Sequence, residues 1–150
     1  MKRILLYIAI LLLVITIPVK RTDIGKLRPV QTVMLYRQAG EVVIRTDTGD
    51  KGVGTGALEA LENLKQTTPA VIYLDTADFL LVSEDSLDAL QLLRGAFRGK
   101  VQLYLFSGDI DPQQASKYLQ IHGDGLLLKK WNGQKELPTL RLDEKRLILS

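Results

Sequence analysis

A glycine-rich stretch between a predicted strand and a predicted helix constrains the fold of this chain more than any other feature. Four glycines stand between residues 49 and 56, after the β-branched run 41–46 and before an apolar repeat that starts at Ala57. A helix that follows such a stretch attracts anions through its free N–H groups and its dipole. Glycine also supplies the positive φ angles that a sharp turn needs. The order predicts an α/β protein, and it leaves open whether the stretch binds a phosphate group or only connects two elements.

Predicted strands and helices alternate along the following residues. The helix after the glycines has apolar residues at i, i+3, i+4 and i+7 from Ala57 to Leu64. Ser83 is predicted to cap a second helix, and the capping box at residues 111–114 predicts a third. The alternation predicts a mixed, mainly parallel sheet flanked by about three helices. The predicted strands are residues 30–36, 41–46, 70–74, 79–82 and 101–106, with short tail strands at 126–130, 139–142 and 146–149. Residues 70–82 are predicted to form either two short strands or one long strand with a bulge.

The first twenty-one residues are predicted to direct the chain to a membrane. Residues 4–19 are almost entirely apolar, and the cations Lys2 and Arg3 precede them. The run is longer than a typical secretory signal core, and it is close to the lower limit of about 17 residues for a spanning helix. No small-residue cleavage pattern follows it, which favours an uncleaved signal anchor or transmembrane segment (1–21) over a cleaved signal or a buried first element. Residues 22–150 are then the exported α/β domain, with a short C-terminal β tail.

The positive net charge belongs to the apolar segment. The chain carries a net charge of +3, and Lys2, Arg3, Lys20 and Arg21 flank the segment. Without these four cations, 16 basic and 17 acidic residues remain, a balance of −1. The domain therefore lacks the basic excess of a nucleic-acid-binding protein. Because cations lie on both flanks, the positive-inside rule orients the segment only weakly, and the expected arrangement places the domain outside the cytoplasm.

The glycine stretch lacks the groups that known nucleotide sites require. A P-loop carries a lysine and a hydroxyl residue after its glycines, whereas this helix continues with Ala57 and Leu58. The spacing G-x-G-x-G also differs from the dinucleotide pattern G-x-G-x-x-G. A structural turn is the favoured interpretation, and binding of a nucleotide or another small phosphorylated ligand is the alternative. The residues of that alternative site are Gly52, Gly54, Thr55, Gly56, Asp75 and Asp78.

The remaining polar residues form no catalytic motif. Asp75 and Asp78 have the spacing D-x-x-D near a predicted strand end, which favours a turn stabilised by aspartates over an acid or metal site. His122 has no nucleophile or acid paired with it by motif, and it is predicted to be a core or helix-capping residue. Trp131 is either an anchor for a partner or, as is more usual, a packing residue. No cysteine and one histidine are present, which excludes thiolate and histidine-rich metal sites. We therefore predict neither an enzyme nor a bound cofactor or metal.

Several segments follow the pattern of a known family. They are residues 23–27 (DIGKL), 30–45, the glycine stretch that opens a helix, 79–84 (FLLVSE) and 101–108. In this order they resemble the first domain of the spore germinant-receptor C subunits, a lipoprotein family of spore-forming Firmicutes. The resemblance covers roughly residues 23–120 and does not extend to the later domains of that family. Where the family carries a lipidated cysteine followed by Trp-Asp, this chain has Arg21-Thr22-Asp23, so that anchoring would depend on residues 4–19.

The resemblance implies a role for the chain. It implies a non-enzymatic protein of spore formation or germination, tethered to the inner membrane of the cell or spore. Such a protein acts through contacts with membrane proteins of the same system, without nucleic acid and without a cofactor. Arg94, matched to the family only by its position, is a candidate surface residue for these contacts.

Overall fold

The structure is a computed structural model that describes residues 27–134 and 136–150, together with Tyr7. The predicted anchor, residues 4–19, lies outside the described residues except for Tyr7. Within the described residues, no helix has both the length and the apolar composition needed to cross a bilayer.

Ten short strands supply the β-structure of the described residues. Eight of them, β2 to β4 and β6 to β10, form one sheet. The other two, β1 and β5, form a separate parallel pair. The strands are β1 (Leu27–Pro29), β2 (Thr32–Gln38), β3 (Glu41–Thr46), β4 (Lys51–Gly54), β5 (Val71–Tyr73), β6 (Phe79–Val82), β7 (Gln102–Ser107), β8 (Leu126–Leu127), β9 (Thr139–Asp143) and β10 (Arg146–Leu149).

The sheet has a parallel centre and antiparallel ends. Its order is β10-β9-β7-β6-β2-β3-β4, and β8 pairs with the first residues of β7. Strands β2, β6, β7 and β9 run parallel to one another, whereas the β2–β3–β4 meander and the β9–β10 hairpin are antiparallel. For residues 27–134 and 136–150, the prediction of a mixed α/β fold with three helices is confirmed.

The three α-helices in residues 27–134 and 136–150 agree with the local sequence signals to different degrees. Helix α1 (Ala57–Thr67) buries Ala57, Ala60 and Leu64, as its apolar repeat predicts. Helix α2 (Leu87–Leu93) is shorter than predicted, because 3-10 turns replace the α-helix at both of its ends. Helix α3 (Pro112–His122) begins at the predicted cap, where Asp111 Oδ2 accepts a hydrogen bond of 3.1 Å from the backbone N–H of Gln114.

The helices cover both faces of the sheet. Because strand side chains alternate between the two faces, β2, β6 and β7 contribute to two separate clusters of buried residues. One cluster holds Leu35, Leu80 and Leu103 together with residues of α1 and α2. The other holds Leu81 and Tyr104 together with residues of α3. We refer to these sides as the α1–α2 face and the α3 face.

The apolar stretch at residues 70–82 forms two short strands, one of the two arrangements that its sequence leaves open. A 3-10 turn, Leu74–Thr76, separates β5 from β6. The hydroxyl of Thr76 holds this turn, since its Oγ1 lies 2.7 Å from the carbonyl of Tyr73 and 3.1 Å from the backbone N of Val30. The prediction that aspartates stabilise the turn is therefore wrong. Strand β5 pairs with β1, so residues 27–29 also belong to the fold, although no strand is predicted there.

The tail agrees with its predicted pattern in part. Strands β9 and β10 form the expected hairpin and extend the sheet beyond β7. Its turn places Glu144 and Lys145 at φ angles of 43° and 70°, a conformation suited to a two-residue hairpin loop. The predicted strand at residues 126–130 is shorter, because Leu128–Lys130 forms a 3-10 turn.

Candidate functional site

The glycines of the predicted loop lie in a strand and pack against α1. Gly52 and Gly54 belong to β4, which pairs with β3. A Cβ atom at Gly52 would lie 2.5 Å from Leu64 Cβ, and one at Gly54 would lie 2.8 Å from the backbone carbon of Glu59. Real Cβ atoms do not approach other atoms this closely. These glycines therefore allow α1 to pack directly on β4, and the prediction of a loop between residues 51 and 54 is wrong.

Helix α1 also covers the outer edge of β4. The backbone N–H of Val53 donates to Asn63 Oδ1 at 3.1 Å, and Thr67 Oγ1 donates to the Lys51 carbonyl at 3.4 Å. An edge strand with unpaired backbone groups is open to pairing with another chain. Side chains of α1 satisfy two of these groups, which closes part of this edge.

A carboxylate of the chain lies at the start of α1. Both the hydroxyl and the backbone N–H of Thr55 donate to Glu59 Oε2, at 2.6 and 2.8 Å. The Thr55 hydroxyl, followed by the N–H, lowers the pKa of Glu59 below its ordinary value. Gly56 is the N-cap of the helix and has an extended backbone. The chain thus places its own anion where the alternative prediction placed a phosphate group.

The two aspartates of the alternative site lie far from the glycines. Gly54 is opposite Val42, which in turn is opposite Arg37 near the end of β2. The backbone N–H of Asp78 donates to the Gln31 carbonyl, before the start of β2. At about 3.3 Å per strand residue, these positions are separated by about 20 Å along the strands. Asp75, on the same side as Asp78, forms an ion pair of 3.3 Å with Arg98. The structure does not bring the predicted ligand residues together.

The other predicted residues have different environments. Trp131 is only 4 % exposed and packs in the cluster on the α1–α2 face, so it is a packing residue. Arg94 is exposed, and its Nη2 donates to the Leu128 carbonyl at 3.0 Å. His122 is exposed and stacks on Tyr118 with ring centroids 4.8 Å apart, so the prediction of a core position is wrong and the position at the helix end is right.

A groove lies on the α3 face, between the β2–β3–β4 meander and the loop that follows β7. Its volume is about 540 Å³. The groove extends along β2 on the face opposite to α1 and α2, because Met34 and Tyr36 alternate with Val33 and Leu35, which point to the α1–α2 face. The residues that give it chemical character are Tyr36, Arg45, Gly49, Lys51, Phe106 and Asp109.

The groove combines aromatic and cationic walls. Tyr36 and Phe106 meet edge to face, with ring centroids 6.1 Å apart. Arg45 and Lys51 are register partners in the β3–β4 ladder, so their side chains leave the same face of the sheet directly opposite each other. Like charges in such a pair destabilise a sheet. The sequence does not reveal this pairing, because it depends on the register of β4.

The two cations of the groove differ from three other arginines of the fold. Arg28, Arg37 and Arg98 each pair with an aspartate, at 3.7, 2.7 and 3.3 Å. Within residues 27–134 and 136–150, no carboxylate comes within ion-pair distance of Arg45 or Lys51. The groove therefore contains two cations that have no ion-pair partner among the described residues.

The turn between β3 and β4 fixes one end of the groove. Thr48 Oγ1 donates to Asp50 Oδ2 at 2.7 Å, and Asp50 also pairs with Arg28. Asp47 accepts from the backbone N–H of Gln31 at 3.2 Å, while burial raises the pKa of Asp47 above its ordinary value. At the tip, Gly49 has a φ of 91°, which favours glycine over other residues. This end is held in place before any ligand arrives.

Neither a metal centre nor a known relative adds to these observations. In the part of the chain that the structure describes, no group of three or more histidine, cysteine, aspartate or glutamate residues is arranged to hold a metal ion. Comparison of the chain with protein-family models, with curated proteins and with solved structures finds no match.

Proposed function

We propose that this protein is a membrane-tethered, non-enzymatic module of spore formation or germination that acts through contacts with membrane proteins. One observation carries the proposal: an apolar run at residues 4–19, preceded by Lys2 and Arg3, leads directly into a folded domain that begins at Leu27. Residues 20–26 span at most about 25 Å. An anchor of this kind keeps the domain close to the bilayer surface.

The position of β1 supports a defined orientation of the tethered domain. Strand β1 precedes β2 and pairs with β5 at the end of the sheet where the parallel strands begin. That end would face the bilayer. Tyr73 is 38 % exposed on β5, and tyrosine is a frequent residue at membrane interfaces. The loops at the other end, including Asp109 after β7, would remain accessible to other proteins.

The surface that contacts a partner would lie on this accessible domain. Arg94 is exposed and remains a candidate for it, whereas the burial of Trp131 excludes that side chain as an anchor. The alternative function, a phosphorylated ligand held by the glycine stretch with Asp75 and Asp78, has less support. Helix α1 packs directly against Gly52 and Gly54, and the aspartates of that site lie at the opposite end of the sheet.

The absence of cysteine from the chain permits a clean test of location. Glu62 is exposed on α1, so Glu62→Cys introduces a single reactive thiol on the domain surface. With a tag at Ser150, we expect the protein to fractionate with membranes during sporulation, to resist a carbonate wash and to dissolve in detergent. We also expect the thiol to react with a membrane-impermeant maleimide in intact protoplasts. Recovery of the intact chain in the cytosol, or labelling only after lysis, would contradict the proposal.

A matched pair of substitutions separates the anchor from the domain. Leu11→Arg introduces a charge into the apolar run, where the cost of insertion is about 2.5–3.5 kcal/mol. Leu58→Arg introduces the same charge at a leucine of α1 that is 62 % exposed. Membrane association should decrease for Leu11→Arg and remain for Leu58→Arg. Equal behaviour of the two variants would remove the support for an anchor at residues 4–19, and the mass of the mature protein would reveal a cleaved signal.

A further inference from the structure

We propose that the groove on the α3 face binds a small organic anion, with a carboxylate or phosphate group at Arg45 and Lys51 and an apolar body against Tyr36 and Phe106. This inference rests on the geometry of the described residues. It does not depend on the tether, and it does not use the glycines of β4.

The charges of the groove favour an anion. Arg45 and Lys51 repel each other across the β3–β4 ladder, and no carboxylate of the described residues lies within ion-pair distance of either. A carboxylate or phosphate between them would convert this repulsion into two attractive contacts. Arginine binds both anions through parallel N–H groups, and lysine adds a compact positive charge. Asp50, next to Lys51 in the chain, is already paired with Arg28.

The apolar part of the groove favours a ligand larger than an inorganic ion. Met34 and Ile110 are buried beside the groove, and Tyr36 and Phe106 line it with rings that are perpendicular to each other. The volume of about 540 Å³ lies within the range of small-molecule sites. Small-molecule sites contain polar groups that fix the orientation of the ligand beside apolar surface that contacts its body. A ligand that carries an aromatic or branched apolar body would fill this space.

The groove is also preorganised for ligand binding. Hydrogen bonds of Thr48 and Asp47 hold the β3–β4 turn, and the two cations stand on paired strands. A site on rigid elements loses little conformational entropy when a ligand binds. Asp109, on the opposite wall, gives the groove a single carboxylate, which would select against ligands with a second negative group at that position.

Calorimetric titration of the full-length protein in detergent micelles tests this inference. The probes are phenyl phosphate, benzoate, inorganic phosphate and the neutral benzyl alcohol. We expect phenyl phosphate or benzoate to bind with a Kd below about 1 mM. We expect binding of inorganic phosphate to be at least about tenfold weaker, and benzyl alcohol not to bind. The stronger of the first two probes identifies the preferred anionic group.

Substitutions locate the binding. Arg45→Gln and Lys51→Gln should each weaken the better probe at least about tenfold, since each removes a charge-assisted contact. Lys65→Gln removes an exposed lysine from α1, on the opposite face, and should leave the affinity unchanged. Circular dichroism establishes that each variant is folded.

Two outcomes would overturn the inference. One is the absence of saturable binding of both organic anions up to about 10 mM. The other is equal affinity of the folded double variant Arg45→Gln/Lys51→Gln and the wild-type protein, which would indicate an adventitious ion only. Neither outcome bears on membrane association, so a failure here is distinguishable from a failure of the proposed function.

Discussion

The two faces of the β3–β4 hairpin have different environments, although the same few residues contribute to both. On the α1–α2 face, Gly52 and Gly54 bring β4 so close to α1 that no atom fits between them. On the α3 face, the neighbouring Lys51 stands beside Arg45 at the edge of a groove of about 540 Å³. Adjacent residues of one strand therefore serve packing on one side and leave space on the other.

The difference between the two faces shows that a glycine can serve either close packing or ligand binding. A glycine-rich stretch between a strand and a helix is compatible with both uses. The deciding observation is what a side chain would meet at each position. At Gly52 and Gly54 it would meet α1, whereas at Gly49 and Gly56 nothing lies within 4 Å. A ligand can approach only the second kind of position.

The largest effect on stability is expected from a substitution on the α1–α2 face of the hairpin, where β4 packs against α1. Gly54→Ala places a methyl group against the backbone of α1 at Ala60 and Glu59, which cannot move without a shift of the helix. We expect a loss of about 3 kcal/mol in the free energy of unfolding, measured by urea denaturation. Gly95→Ala is the matched control, because nothing lies within 4 Å of the added methyl, and its effect should stay within about 1 kcal/mol. A folded Gly54→Ala protein of unchanged stability would contradict this packing.

The second prediction concerns the closed end of the α3 face, where Tyr104 fills the space against Gly123 and Gly125. Burial raises the pKa of Tyr104 to about 12, and its hydroxyl donates to Gln102 Oε1 at 2.6 Å. Since the pKa in the folded state lies above the unfolded value of about 10, this contribution to stability is present below pH 10 and is lost as the pH rises towards 12.

Tyr104→Phe isolates this contribution from other groups that titrate at high pH. The phenylalanine retains the ring and removes the titrating hydroxyl. The difference in unfolding free energy between wild-type protein and variant should change by at most about 2 kcal/mol between pH 9 and pH 12. The direction is a relative loss for the wild-type protein. A difference that stays constant over this range would show that Tyr104 is not shielded from solvent.

The third prediction tests the charge repulsion on the α3 face of the hairpin. Lys51→Gln removes the repulsion with Arg45 and should raise the free energy of unfolding by about 0.5 kcal/mol in the absence of ligand. Most lysines that contribute to a fold have the opposite effect when they are replaced. Lys65→Gln is again the control and should change the stability little. A clear destabilisation by Lys51→Gln would mean that Lys51 has a structural partner rather than a vacant anion position.

The smallest effect is expected at the start of α1. Because the pKa of Glu59 is lowered, its contribution to stability is present above its ordinary pKa and is lost as the pH falls through the lowered value. Glu59→Gln should remove this pH dependence and lower the melting temperature slightly at neutral pH. Glu62→Gln, at an exposed position of the same helix, is the control. An unchanged acid profile in Glu59→Gln would exclude the bond to Thr55.

The sequence is sufficient for those elements whose signals are local. Residues 41–46 are rich in β-branched side chains and form β3, and the cap at Asp111 forms with the predicted donor. The apolar repeat of α1 likewise identifies the three residues that it buries. In each case the interaction that decides the structure lies within a few residues.

Other features depend on contacts between distant segments. Strand β4 carries two glycines and has little strand propensity of its own, so its conformation depends on pairing with β3 and on coverage by α1. Trp131 is buried because the chain returns over the α1–α2 face after β8. The pairing of Arg45 with Lys51 depends on the hairpin register. No local pattern encodes these contacts, and the candidate site could therefore not be predicted.

A residue-resolved titration is the most direct test of the claim that this hairpin packs against α1 on one face and binds an organic anion on the other. Nuclear magnetic resonance of the ¹⁵N-labelled full-length protein with phenyl phosphate reports each backbone amide separately. We expect saturable shifts at Tyr36, Arg45, Gly49 and Lys51, with amides in the body of α1 unchanged. Shifts centred on Gly54, Thr55 and Gly56 at the start of α1, with the groove residues unaffected, would contradict it.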